Sequence, residues 1–435
     1  MSATAPEDAG PAAVPTRPAT FREVFAVREF RPLYGTFLLS TMGDELARVA
    51  LTVLVYQRTS SPLLSAVTFA ISFLPWLIGG PFLSSLADRL PRHRVLIASD
   101  AVRALLVAGM AIPGTPLPVL LGLLFLVAVC APPFESARSA LMADLLEGDR
   151  YAVASSLTNI SLQLAQVFGF LAAGALLAVL HPSGALLVNA ATFLISALWL
   201  ARGLERRGAP DAEGCVSSVW RHTAQGLRLV RRTPRLLAII ALLWVGTFFA
   251  YGWEGLATPL VDELDRGTTG LGLLLAANPL GVTVGGLIVA RLVRPELRER
   301  LVPFLVVLSL APLGLAGLLA ALAGPGAVPF AVVVALMFVS GLGGAWLIPL
   351  NVSFVQAVPS AYRGRAFGVA VTGLNGMQGL GVLAAGLVAE GVAPSVVVAL
   401  CGAVGLVAVV PPLLAYGRTQ GHVAPGAPAA GASEA

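Results

Sequence analysis

Long apolar runs broken by short polar links occupy most of the 435 residues. A helix needs about 20 apolar residues to cross the hydrocarbon of a bilayer, and runs of that kind recur along the whole chain. They predict spans at 33–56, 65–86, 95–112, 117–141, 152–180 and 184–201, then at 236–260, 270–292, 301–323, 328–358, 366–389 and 395–416. The expected fold is an all-α polytopic membrane protein of twelve transmembrane helices.

The one long polar interruption, 202–235, falls halfway along and divides the chain into two six-helix halves, 32–201 and 236–416. Before the first span, Phe21, Val24, Phe25, Val27 and Phe30 alternate with Arg22, Glu23, Arg28 and Glu29, the pattern of a helix lying on the inner leaflet. Within the interruption, Trp220, Leu227 and Val230 stand against Arg221, Arg228, Arg231 and Arg232 in the same way. Residues 1–31 are thus expected to be a disordered tail and a cytoplasmic amphipathic helix, 202–235 a cytoplasmic linker, and 417–435 a disordered tail.

The halves resemble each other. Gly169-Phe170-Leu171-Ala172-Ala173-Gly174 and Gly381-Val382-Leu383-Ala384-Ala385-Gly386 are offset by 381 − 169 = 212 residues, and at that offset Gln166 meets Gln378 and Gln163 meets Asn375. Pro133 with Glu135 two residues on is echoed by Pro349 with Asn351. Such self-similarity predicts pseudo-symmetric halves around a central cavity.

Charge sets the orientation. Charged residues are 12% of the chain, against roughly 25% in soluble proteins, and all 28 basic residues are arginine. The link between the second and third spans carries Arg89, Arg92 and Arg94 with Asp88 and His93, which assigns it to the cytoplasm, because positive loops resist translocation. Arg48 and Arg103 lie inside spans and only Arg58 and Arg266 fall in outer loops, so 28 − 4 leaves 24 on the inner side. The expected location is the plasma (inner) membrane, multi-pass, with both termini cytoplasmic. The net charge of +5 therefore reports orientation and implies no nucleic-acid partner. Three scattered cysteines, four histidines and the lack of a phosphate-cradling glycine loop point to no disulfide framework, no metal, no cofactor and no enzyme activity.

Ser84, Ala87, Asp88, Arg89, Arg92, Arg94 and Leu96 together resemble the signature of the major facilitator superfamily of secondary transporters. Further stretches are similar to its third drug:proton antiporter group, which includes macrolide and siderophore exporters. They are Phe30-Arg31-Pro32-Leu33-Tyr34, Leu39 to Asp44, Asp100 with Arg103, Leu187 to Phe193, Gly226 to Pro234, and Arg363-Gly364-Arg365. Antiporters of the superfamily often carry Gly-Pro-x-x-Gly-Gly in span five, where this chain reads Gly169 to Gly174 without the proline and one glycine. The resemblance implies a monomeric exporter of a hydrophobic or amphipathic small molecule, exchanging it for protons across the lipid bilayer by alternating access.

Asp44, Glu45 and Arg48 fall a third to halfway through the first span. Charges there cost about 2.5–3.5 kcal/mol each on insertion scales, so they are expected to face a wet cavity, with Arg48 pairing with Asp44 one turn away. They form either a proton-carrying group or a static ion pair that fixes helix rotation. Asp100, Arg103, Glu135 and Arg138 are expected as partners of Arg89 and Arg92 in a cytoplasmic gate, or as interfacial snorkelling residues. Glu254, beside Tyr251 and Trp253, is either a cavity acid or part of an interfacial aromatic belt. Gln163, Gln166, Asn278, Asn351, Gln356, Asn375 and Gln378 either line the cavity or bond between helices. An apolar cavity with a few acids would suit lipophilic, often cationic, cargo. The alternatives are a metabolite importer or uniporter of the same fold, and a non-transporting receptor or assembly protein.

Overall fold

Proline opens five of the spans. In a computed structural model that describes residues 19–78, 90–208, 226–359 and 362–419, α1 is Phe30–Thr59. The described part of α2 is Pro62–Ala70, a 3-10 turn, and Leu74–Ile78. There follow α3 Arg92–Met110, α4 Leu117–Leu145, α5 Asp149–Val179, α6 Pro182–Gly203, α7 Pro234–Glu263, α8 Gly267–Arg291 and α9 Pro295–Ala323. The last three are α10 Val328–Ala357, α11 Arg363–Val388 and α12 Pro394–Thr419. The predicted starts at 65, 184, 236, 301 and 395 move back to Pro62, Pro182, Pro234, Pro295 and Pro394. A helix does not need the N–H of its first residue, so proline fits there at no cost. Asp88, Arg89, Trp220, Arg221, residues 1–18 and residues 420–435 fall outside the described residues, as do the side chains of Arg363 and Arg365, while 417–419 of the expected disordered tail are the last turn of α12.

The expected amphipathic helix over 21–31 is shorter. It covers Phe21–Ala26, the chain turns over 27–29, and α1 begins at Phe30, three residues ahead of the predicted start. Glu29 holds the turn by accepting Arg207 Nη1 and Nη2 at 2.8 and 2.7 Å and the Glu205 N–H at 3.0 Å. Burial works to raise the Glu29 carboxyl, but these donors outweigh it and keep it below its ordinary value.

Prolines also break three of the spans they sit within, whereas Pro279 and Pro312 are carried inside unbroken helix in α8 and α9. α2 tightens into a 3-10 turn at Ile71–Phe73 just before Pro75, and α4 kinks at Cys130, between Val129 and Ala131, just before Pro132 and Pro133. α10 breaks between Gly344 and Leu347, ahead of Pro349. Each ring removes a donor and crowds the preceding turn. The paired kinks in α4 and α10 are the structural form of the Pro133/Pro349 repeat.

The glycine repeat has an equally direct meaning. A Cβ on Gly169 would lie 2.8 Å from Glu45 Cβ of α1, and one on Gly174 would lie 2.8 Å from Gly272 Cα of α8. At the matching positions, Gly381 presses on the Phe248 carbonyl of α7 and Gly386 on Ala66 of α2. Each repeat therefore fits its helix to the first span of its own half and the second span of the other. That is the arrangement of two pseudo-symmetric six-helix halves.

The apolar core is shared unequally. Toward the arginine-poor end one core holds residues of both halves, such as Leu51, Val53 and Phe170 with Leu260, Leu264 and Leu274. Toward the arginine-rich end each half keeps its own, around Phe30, Leu96 and Phe134 in the first and Leu236, Trp346 and Phe354 in the second. The halves are joined at one end and parted at the other, leaving a cleft that opens on the arginine-rich side. Polar ties at the joined end include Tyr56 Oη to Asp262 at 3.3 Å, Ser65 Oγ to the Gly255 carbonyl at 3.2 Å, and Ser61 Oγ to Glu390 at 2.6 Å.

Candidate functional site

A string of buried charges crosses the first half. Glu45 and Arg48 pair at 3.0 Å along α1, which corrects the expected pairing of Arg48 with Asp44. The two acids differ by one residue, hence by 100° of rotation, and the packing of α1 against Gly169 of α5 turns Glu45 toward that side. Gln166 reaches the Glu45 carboxyl from α5, and the Arg48 guanidinium lies 5.2 Å over Phe69 and 5.8 Å over Phe73 of α2. Asp44 instead turns into a cavity of about 120 Å3 inside the first half, which Arg48, Arg103, Ser72, Trp76 and Asn189 also line. That cavity carries charged and polar groups on a largely apolar wall and has room for water.

Asp100 and Arg103 belong to this string and not to an end of α3. They are 3.6 Å apart with almost no exposure, Ser196 Oγ donates to Asp100, and Arg103 sits over Phe134 and Phe193. Arg138 pairs with Glu135 at 2.6 Å, as the spacing of three predicts, and covers the Phe37 ring. The expected partnership of these residues with Arg92 does not form. Arg92 bonds Asp144 and the Ala140 carbonyl, both on the last turns of α4.

Glu254 is the contribution of the second half. It accepts from Gln378 Nε2 at 3.2 Å, and its charge is felt by Arg48 across the halves. Trp253 is 1% exposed, so the aromatic-belt reading of this stretch is overturned.

The other amides scatter. Asn375 donates to the Val371 carbonyl of its own helix, Asn278 is buried where α8 meets Gly341 of α10, Gln163 is half-buried and Gln356 exposed. Only Asn351 reaches the wall of a second cavity, of about 420 Å3, in the cleft between the halves. Its wall is made by Ile239 and Leu243 of α7, Leu347, Leu350 and Phe354 of α10, and Phe367 and Leu374 of α11. Asn159 of α5 closes it from the first half. The expected mixture of apolar wall and acids in one cavity is thus corrected: among the described residues, Asp44 lines the smaller space inside the first half, and the apolar wall with Asn351 belongs to the other. Sequence reasoning missed Asn159 because the 212-residue offset sets it against Val371, which carries no amide to flag it, and missed Asp144 because that acid lies in a charged helix end.

With this geometry in place, the family follows from comparison. Residues 33–323, more than half of the chain, match the family model described as Major Facilitator Superfamily, and the chain belongs to that family of transporters. It is 26% identical over 401 residues to the uncharacterized transporter YfiS of Bacillus subtilis, covering 89% of this chain and 94% of that one. It is 28% identical over 262 residues to the multidrug efflux pump Tap of Mycolicibacterium fortuitum, covering 58% and 64%. Its fold matches a POT family transporter in complex with 5-aminolevulinic acid, with TM-score 0.72 at 12% identity over 93% of this chain and 98% of that one. A mutant of the nucleoside transporter NupG gives 0.73 at 14% identity over 89% and 99%. The protein is a multi-pass membrane transporter and not an enzyme.

Proposed function

We propose that the protein exports a hydrophobic or amphipathic small molecule in exchange for protons, alternating between a state open at the arginine-rich end and one open at the other. The arginine-rich end is read as cytoplasmic, because arginine-rich loops resist translocation. The cleft of the present structure then faces the cytoplasm, where cargo would load. Both termini lie on that side, and the working unit is the monomer.

The observation that carries the proton reading is a charge imbalance. Among the described residues the string holds Asp44, Glu45, Asp100 and Glu254 with Arg48 and Arg103, an excess of 4 − 2 = 2 acids, and the Glu135–Arg138 pair, whose carboxylate is 34% exposed, balances itself. Two uncompensated charges inside a low-dielectric bundle are too costly to keep, so acids in this set hold protons in the closed states and release them when a cavity opens. Arg48, between Glu45 of one half and Glu254 of the other, is placed to exchange partners as the halves rock. The similarity to Tap, a relative named as a multidrug efflux pump, supports the direction.

The test is accumulation of a lipophilic dye in everted and right-side-out vesicles with and without a proton uncoupler. Uptake into everted vesicles that collapses on uncoupling supports export. Uptake into right-side-out vesicles alone would favour the import reading.

A further inference from the structure

The cleft cavity and the charged string are separate spaces, and the polar groups of the cleft are of one kind. Asn159 and Asn351 both line the cavity, come from opposite halves, are exposed, and hydrogen-bond to nothing among the described residues. The rest of the wall is aliphatic, apart from Phe354 and Phe367, whose rings lie 6.4 Å apart. Asn159 is ten residues into α5 and Asn351 six residues from the end of α10, so at 1.5 Å per residue the amides sit roughly 10–15 Å inside the arginine-rich face. A space of about 420 Å3 is within the range of drug-sized ligand sites.

We infer that Asn159 and Asn351 are the specificity-determining pair of the transporter and that its substrate is an uncharged amphipathic molecule bearing a hydrogen-bonding group. This rests on the export reading above. As the halves close over the cleft, both amides lose access to water. A substrate that offers them a carbonyl or hydroxyl replaces that water, whereas a pure hydrocarbon leaves them unpaired, and buried unpaired amides are what make polar sites selective. A permanent cation finds no acid there among the described residues, and only the Phe354 and Phe367 rings can attract it, so most of its desolvation cost is uncompensated. Because the pair spans the cleft, a bound substrate also draws the halves together. Protons and cargo then act on one conformational change from two places instead of competing for one carboxylate.

The test uses purified full-length protein in liposomes with an imposed pH gradient, Nile red as a neutral carbonyl-bearing probe, and a trimethylammonium derivative of it as the charged probe. The wild type is expected to carry Nile red and to exclude the derivative. Asn159→Leu and Asn351→Leu should each raise the KM for Nile red about tenfold, the loss of one amide hydrogen bond. Asn351→Asp should gain transport of the cationic derivative, a readout that a misfolded variant cannot give. Nile red transport with an unchanged KM in both leucine variants, or wild-type preference for the cation, would overturn the inference and leave the export reading standing. A wild type that moves neither probe would defeat both.

Discussion

Glu390, in the link after α11, accepts Ser61 Oγ at 2.6 Å and the Leu63 N–H at 3.0 Å, so the first turn of α2 is capped by a carboxylate from the opposite half. Ser61 itself caps the same turn by accepting the Leu64 N–H. An outward opening of this end must break the contact. The cap is therefore a latch on the closed arginine-poor end.

Glu390→Ala should shift the protein toward opening at that end, seen as a longer distance between spin labels at Arg58 and Gly391. Hydrogen bonds from Ser61 and Leu63 hold the Glu390 carboxyl below its ordinary value. A lowered value means the latch is at full strength above the ordinary carboxylate range and is lost as pH falls through the lowered one. Labelled wild type should open progressively on acidification of that side, and Glu390→Gln should lose this dependence.

The Gly169 contact makes a second prediction. Adding one methyl at Gly169 places it 2.8 Å from Glu45 Cβ and 3.2 Å from the Met42 carbonyl, so Gly169→Ala should destabilise the protein by about 1–3 kcal/mol and impair transport. Gly122→Ala, where nothing lies within 4 Å, should do neither. Thermal unfolding in detergent, followed by tryptophan fluorescence, compares the two.

Asp100 and Arg103 are a buried pair that tolerates no single loss. Arg103→Met strands the Asp100 carboxylate and should cost about 3–5 kcal/mol, read as reduced yield of monodisperse protein. The double variant Asp100→Asn with Arg103→Met removes both charges and should recover much of that yield. Equal yields from single and double variants would show that the pair is uncoupled.

Arg92 and Asp144 join the start of α3 to the end of α4. Arg92→Asp should lower the transport rate by placing two acids together, and combining it with Asp144→Arg should restore it. A double variant as slow as the single one would mean that Arg92 acts through another group.

The spans were legible because lipid demands long apolar runs and helical hydrogen bonding, and both leave their mark in composition. The glycine repeat was legible for the same reason: Gly169 and Gly381 are small because backbone or Cβ atoms of α1 and α7 lie against them. Pairings were not. Asp44 and Glu45 are both one turn from Arg48, and the choice between them depends on the rotation of α1 against α2 and α5. Asp100 and Arg103 appear near the end of their span when counted along the chain, yet tilt and packing bring Arg103 to the same cavity as Asp44. The two cavities depend on how the halves lean on each other, which no local pattern records.

The most direct measurement is proton movement with the acids neutralised one at a time. Purified protein in pyranine-loaded liposomes should show a proton flux that appears only when Nile red is added. Asp44→Asn should abolish that flux and the uphill transport while the protein still inserts and remains monodisperse. A proton gradient that still drives Nile red uphill through Asp44→Asn, Glu45→Gln and Glu254→Gln alike would contradict the claim that the buried string carries the exchanged proton.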